Sequence, residues 1–223
     1  MKRVLDSFLQ DQFDGMELAP GLFYDWKNSL RFAISDSSID HNKSQFFEHA
    51  LKRAVSIFNQ IFEDQDEILV VSDVYAETSN IFLQRRPLNI YRKYVKFRQV
   101  LYKLHHYLMP ISLEEADEEQ LSVKHRFILP CRKADLRYSQ LLKAILYEDF
   151  TQPNTILKNH LEVGYDVYII NNSKKVIFHL YDDRGCDVLA SDKIQLKALY
   201  DEFNPWILEY DREQMDRLFQ TEI

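Results

Sequence analysis

VIFHLYDDRGCDVLA, residues 176–190, contains two apolar runs on either side of Asp182, Asp183, Arg184 and Gly185. Bulky residues that alternate along such runs are typical of β-strands. Asp182 can accept backbone N–H groups at the start of a turn, and Gly185 can adopt the positive φ that ends a type I turn with a bulge. The stretch therefore predicts a β-hairpin. The preceding YDVYII, residues 165–170, adds a third strand and completes an antiparallel meander.

The spacing of apolar residues assigns elements along the rest of the chain. We expect helices at 2–13, 43–63, 89–108, 136–150, 193–203 and 205–219, and strands at 22–26, 30–35, 67–75 and 126–131. Because the strands come mostly as hairpins, the sequence predicts an α+β fold with a largely antiparallel sheet, the C-terminal meander and helices packed on it. Residues 1–223 are expected to form one domain, or two closely packed halves, 1–110 and 120–223.

The amino-acid composition indicates a globular protein that lies outside membranes. A chain of 223 residues with 46% hydrophobic content is large enough to bury a sizeable core. The N-terminus has acids where a signal peptide needs an apolar run, and no stretch approaches the roughly 18 apolar residues of a membrane span. We therefore expect a cytoplasmic protein that does not enter a membrane, with Cys131 and Cys186 as reduced thiols. The net charge of −7 argues against nucleic acid as a partner.

Charge is segregated in the middle of the chain. The segment between residues 80 and 103 has seven basic residues and no acid, whereas 114–119, EEADEE, has five acids. The basic residues are Arg85, Arg86, Arg92, Lys93, Lys96, Arg98 and Lys103. Aromatic residues between them suit either a helical core or a nucleic-acid surface. The sequence leaves open whether the basic segment 85–103 is exposed or neutralised by the acidic loop.

The densest group of functional side chains lies at the hairpin. We predict Tyr181, Asp182, Asp183, Arg184 and Asp187 as binding residues, because carboxylates beside an arginine can bind ions or take part in acid–base chemistry. The same residues also suit a purely structural turn with an Arg–Asp pair across it. Both readings stay open, as does the direction in which Arg184 points.

No catalytic or cofactor motif is present in the sequence. The chain has no GxSxG, GxGxxG or GxxxxGK[ST] motif, and its four glycines are scattered. His105 and His106 are adjacent, so on a helix they would point about 100° apart and could not share a metal ion. We therefore predict no metal and no cofactor, and the sequence assigns no residue to catalysis. The sequence argues against an enzyme without excluding one.

Several stretches resemble an uncharacterised bacterial family, domain of unknown function 3885. They are HRFILPCRKADLRYSQLLKAI, FHLYDDRGCDVLA and ALYDEFNPWILEYDRE in the C-terminal half, with GLFYDWKNSLRF and EILVVSDVY nearer the N-terminus. YDDRGCDV and WILEYDRE are the most specific of them, and together the stretches span nearly the whole chain. The resemblance implies a small single-domain cytosolic protein, and it supplies no catalytic residues.

Two functions of different class follow from these observations. The first is a protein-binding module, of the immunity or antitoxin type, because an acidic domain suits rapid capture of a basic protein partner. It requires exposed Asp and Tyr side chains on one face, including the hairpin and the 114–119 loop. The alternative is a small-ligand-binding protein or an enzyme with its site at the 182–187 hairpin, which requires a concave pocket beside that turn. Neither reading predicts an oligomeric state.

Overall fold

The computed structural model describes residues 1–36, 38–39, 44–77, 87–110, 122–147 and 165–219. Within these ranges, seven strands form one sheet: β1 (Ser29–Ala33), β2 (Glu67–Glu77), β3 (His105–Pro110), β4 (Ser122–Arg132), β5 (Tyr165–Asn171), β6 (Val176–Leu180) and β7 (Gly185–Ala190). Their order is β1-β7-β6-β5-β2-β4-β3, and every neighbouring pair is antiparallel. The predicted α+β class with a largely antiparallel sheet is confirmed. Strands from both predicted halves alternate in this sheet, since β2 lies between β5 and β4.

The helices precede, separate and follow the strands. They are α1 (Lys2–Gln12), α2 (Leu22–Asp25), α3 (Ser44–Ile61), α4 (Tyr138–Leu146), α5 (Lys197–Phe203) and α6 (Glu209–Phe219). Short 3-10 helices occupy Pro87–Ile90, Arg98–Lys103, Lys133–Asp135, Lys193–Leu196 and Asn204–Trp206. In the described part of the chain, no helix is long and apolar enough to cross a lipid bilayer.

Side chains alternate between the two faces of the sheet, and each face has its own core. On the helical face, α3 and α4 pack on the sheet, and the Phe178 ring lies 5.7 Å from that of Phe58. On the opposite face, which we call the α1 face, Phe8 and Phe13 belong to a smaller cluster with Val71 and Ile177. The larger core therefore lies on the helical face.

Two predicted elements were wrong, and in both cases remote backbone pairing replaced the predicted local structure. Residues 22–26 and 30–35 do not form a hairpin, because β1 pairs with β7 and α2 precedes it. Residues 89–108 do not form one helix. Instead Arg137 N donates to the Tyr94 carbonyl at 2.7 Å, Lys96 N donates to the Asp135 carbonyl at 2.8 Å, and 105–110 pairs with β4. The acidic loop 114–119 lies outside the described residues, as do Arg85 and Arg86.

Gly185 differs from the prediction as well. The positive-φ glycines of the described chain are Gly15 and Gly21, so Gly185 does not end its turn in the left-handed region. It begins β7 opposite Ala33, where a Cβ would clash with the Tyr181 hydroxyl and lie 2.7 Å from the Phe32 carbonyl oxygen. Close approach, and not backbone conformation, requires glycine here.

Replacing Gly185 with Ala is expected to lower the free energy of unfolding by about 1–3 kcal/mol, because the added methyl group overpacks the site. Urea denaturation at neutral pH measures this change. Combining the substitution with Tyr181→Phe should recover part of the loss, since the hydroxyl contact is removed and the Phe32 carbonyl contact remains. A loss smaller than about 0.5 kcal/mol, as is usual for substitutions at the surface, would mean that the added methyl group does not overpack the site.

Candidate functional site: a polar row across the sheet

Charged and polar side chains form a row across the α1 face, towards the end of the sheet where the 182–187 hairpin lies. The row, which we call the polar row, contains Arg126 (β4), Asp73 (β2), Asp166 and Tyr168 (β5), His179 (β6), Asp187 (β7) and Arg31 (β1). Strand register brings them together, because Asp73 pairs with both Arg126 and Asp166, and His179 pairs with both Tyr168 and Asp187.

One end of the polar row is a buried ion pair. Arg126 donates from Nε to Asp73 Oδ1 at 2.7 Å and from Nη2 to Asp73 Oδ2 at 2.5 Å. Both residues are buried. Burial by itself would lower the pKa of Arg126, but the hydrogen bonds and charge of Asp73 raise it. The two charges therefore neutralise each other within the protein.

The other end is a second ion pair, in which Asp187 is fully buried and the Arg31 side chain is 13% exposed. Arg31 donates to the two Asp187 carboxylate oxygens at 2.8 and 3.1 Å, and Phe23 N donates to Asp187 Oδ2 at 3.2 Å. The Arg31 guanidinium also lies 4.6 Å from the centre of the Tyr24 ring and 5.7 Å from that of Tyr181. Burial opposes the charge of Arg31, yet Asp187 raises its pKa above the ordinary value. Asp187 is thus held by three donors.

The centre of the polar row is different, because three of its buried polar atoms have no hydrogen-bond partner among the described residues. The His179 ring is fully buried, and its centre lies 4.4 Å from that of the tilted Tyr168 ring. Its Nε2 lies 3.7 Å from Asp166 Oδ1. In the described part of the chain, neither His179 ring nitrogen nor the Tyr168 hydroxyl has a hydrogen-bond partner. The Asp166 side chain is 15% exposed, so it connects this buried centre to solvent.

Such unpaired groups are costly. A buried donor or acceptor without a hydrogen bond costs about 1–3 kcal/mol. Burial also raises the pKa of Tyr168, which keeps its hydroxyl a neutral donor. The centre therefore offers a hydrogen-bond donor, an imidazole and a carboxylate to a molecule that could satisfy them.

The predicted hairpin residues divide between this row and the turn. Asp187 belongs to the polar row, and Tyr181 lies beside it, with ring centres 5.9 Å apart between Tyr181 and His179. Asp182 accepts from Arg184 N at 2.7 Å and from the Arg184 side chain, so the predicted Arg–Asp pair across the turn is present. Asp182 and Asp183 are only 5% and 7% exposed, while the Arg184 side chain is 76% exposed. Among the predicted acids, Asp182, Asp183 and Asp187 therefore do not form an exposed acidic face.

Sequence reasoning missed most of the polar row. Asp73, Asp166 and His179 each interrupt an apolar strand sequence, and buried polar groups in such strands are normally paired or functional. That interruption was the available signal. Their partners could not be read from it, because Arg126 and Asp73 are 53 residues apart.

The structure also shows the surroundings of Cys186 and of the adjacent residues His105 and His106. Burial raises the pKa of Cys186 well above its ordinary value, which disfavours the thiolate that a nucleophile needs. His105 and His106 lie on β3 and not on a helix, and His106 Nε2 is 2.9 Å from His125 Nδ1. In the described residues, no group of three or more His, Cys, Asp or Glu could hold a metal ion.

Three cavities lie away from the hairpin. Two of about 520 and 380 Å³ border α1, and one of about 350 Å³ lies at the basic segment. None of these three is lined by a residue of the 181–187 stretch. None of them is lined by a residue of the polar row either, so these three cavities mark no site at the turn or on the sheet face beside it.

The fold and the polar row define an α+β protein with a row of buried charges on one face of an antiparallel sheet. The chain belongs to the family described as domain of unknown function (DUF3885), whose model matches residues 5–211 and so includes the whole polar row. It is similar to the uncharacterized protein YnaE of Bacillus subtilis (strain 168), with 29% identity over 216 residues, covering 92% of this chain and 98% of that protein. No solved structure matches the chain. The family resemblance predicted from the sequence is confirmed.

Proposed function

We propose that the protein binds a small polar molecule at the centre of the polar row, and that it does so in the cytoplasm. One observation supports this proposal above all. The Tyr168 hydroxyl and both His179 ring nitrogens are buried without hydrogen-bond partners in the described chain, next to the partly exposed Asp166 carboxylate. Nearly all buried polar groups in proteins are hydrogen-bonded, so buried groups without partners call for an explanation. Binding sites contain a few convergent polar groups that a ligand pairs with.

The charges of the row define the kind of ligand. Among the acids of the row, Asp73 and Asp187 each face an arginine, while Asp166 faces the His179 imidazole at 3.7 Å. A ligand with amine or amide N–H groups would donate to Asp166 and to the free His179 nitrogen. An acceptor on the same molecule would receive the Tyr168 hydroxyl. The two flanking ion pairs keep the walls of this site rigid.

Replacing Tyr168 with Phe is expected to raise the free energy of unfolding of the ligand-free protein by about 1 kcal/mol, because the change removes a buried hydroxyl with no partner. Urea denaturation measures this change. Tyr91→Phe is the matched control, since the buried Tyr91 hydroxyl donates to Ser72 Oγ at 2.7 Å and its loss should destabilise the protein by about 1 kcal/mol. The same sign for both substitutions would remove the main support for the site.

A thermal-shift screen tests binding directly. The probes are amino acids, polyamines and nucleobases, and at least one should raise the melting temperature of the wild-type protein. Asp166→Asn and Tyr168→Phe should abolish that rise, whereas Asp6→Asn on the exposed side of α1 should leave it unchanged. If no probe acts on the wild type and Tyr168→Phe destabilises the protein as Tyr91→Phe does, the proposal is wrong.

A protein-binding module of the immunity or antitoxin type is the second candidate. Here the supporting observation is a surface of exposed side chains, Tyr24 (58% exposed), Leu208 (41%) and Tyr210 (89%). The Tyr24 hydroxyl lies 3.5 Å from Asp211 Oδ1, which brings α2 against the start of α6. Exposed aromatic residues are enriched at interfaces. A partner that is captured from lysate by the wild type and by Asp166→Asn, but lost with Tyr24→Ser and Tyr210→Ser together, would favour this function.

A further inference from the structure

A cavity of about 350 Å³ opens beside the basic segment. Its lining includes four cations, Arg92, Lys96, Arg98 and Arg137, and no acid. None of its lining residues belongs to the polar row, so this cavity is separate from the site described above.

The four cations are available to a ligand. All of them are exposed, and none forms an ion pair in the described part of the chain. The protein as a whole has a formal net charge of −7, so overall composition does not account for this local excess of positive charge. Cations gathered around a cavity repel one another and raise the local concentration of anions.

Backbone pairing holds two of these cations, Lys96 and Arg137, in place. Arg137 N donates to the Tyr94 carbonyl at 2.7 Å, and the buried Val95 forms a bridge with the buried Leu136. Arg137 Nη1 also donates to the carbonyls of Lys93 and Val95. Its Nε and Nη2 have no partner among the described residues, which leaves the outer part of the guanidinium for a ligand. A cation anchored in this way loses little freedom on binding.

We propose that this cavity binds a small soluble molecule that contains a phosphate or diphosphate group. A phosphate monoester has about 1.5–2 negative charges at pH 7 and three strong acceptor oxygens. Arginine recognises such groups through paired N–H donors, and lysine adds a point charge. The overall negative charge opposes a long polyanion, and the cavity is of a size for a small ligand.

Isothermal titration with inorganic pyrophosphate and with inorganic phosphate tests this site. The wild type should bind pyrophosphate, and the double variant Arg92→Gln with Lys96→Gln should weaken binding at least about tenfold. The matched control is Lys93→Gln with Lys103→Gln, which removes two exposed cations of the same segment that do not line the cavity. This control should weaken binding less than about threefold, because it changes only the general electrostatics. Circular dichroism confirms that both variants are folded.

Three results would overturn the proposal. One is that the wild type does not bind pyrophosphate at millimolar concentration, and another is that the two double variants weaken binding equally. The third is binding to phosphatidylglycerol vesicles or to a single-stranded oligonucleotide without binding to pyrophosphate, which would assign the cations to a membrane surface or a nucleic acid. The polar-row variants Asp166→Asn and Tyr168→Phe should bind pyrophosphate normally, so this test is independent of the function proposed above.

Discussion

Replacing Asp73 with Ala is expected to lower the free energy of unfolding by about 3–5 kcal/mol. The Asp73 carboxylate is fully buried and accepts two hydrogen bonds from Arg126, at 2.7 and 2.5 Å. Its removal leaves Arg126, a residue that is only 6% exposed, without its counter-charge. Urea denaturation at neutral pH, followed by circular dichroism, measures the loss.

The control for this prediction removes both charges together. Asp73→Leu combined with Arg126→Met keeps similar volume and leaves no uncompensated charge, so most of the stability should return. This result would separate the cost of an unpaired buried charge from the net contribution of the pair. A loss below about 1 kcal/mol for Asp73→Ala would mean that Arg126 regains solvent easily, and that this end of the polar row is not closed.

Replacing Asp187 with Ala is expected to have a similar effect, about 3–5 kcal/mol, because Arg31 and the Phe23 N–H lose a fully buried acceptor. The contrast within the hairpin is Arg184→Ala, because the Arg184 side chain is 76% exposed and its buried partner Asp182 also accepts from Arg184 N at 2.7 Å, a bond that the substitution keeps. That substitution should change stability by less than about 1 kcal/mol. Chemical denaturation of the two variants side by side measures the difference.

The two losses in the free energy of unfolding, for Asp187→Ala and for Arg184→Ala, show which hairpin residue stabilises the fold. A large effect for Asp187 with a small one for Arg184 means that the Asp187 carboxylate stabilises the fold and that Arg184 can be substituted without unfolding the protein. Comparable effects would contradict the geometry. They would show that the turn and the sheet face depend on each other for stability.

Substitutions at the ends and at the centre of the polar row are expected to change the free energy of unfolding in opposite directions. The ends of the row are satisfied ion pairs, so their substitution is expected to destabilise the protein. At the centre, the Tyr168 hydroxyl has no hydrogen-bond partner in the described part of the chain, so Tyr168→Phe is expected to stabilise the protein. Functional sites commonly retain groups that reduce stability, because the same groups act on a ligand. Opposite signs along one row of side chains would therefore locate the binding centre within it.

The amino-acid sequence by itself determined the local elements. Alternating apolar residues over 165–190 predicted β5, β6 and β7, and helical spacing predicted α1 and α3 close to their observed ends. Asp192 directly precedes the 3-10 helix Lys193–Leu196, and its Oδ1 accepts from Ile194 N at 2.9 Å, as is typical of a helix cap. Such signals depend on neighbours within a few residues, so they can be read from the chain directly.

Only the tertiary structure decided which remote segments pair, because pairing depends on long-range packing that local spacing does not encode. β1 lies against β7, and the segment around Val95 pairs with the segment around Leu136 instead of forming a helix. Those pairings assemble the polar row from six strands and gather the four cations around one cavity. The identities of the charged residues were visible in the sequence, but their partners were set by strand order and register.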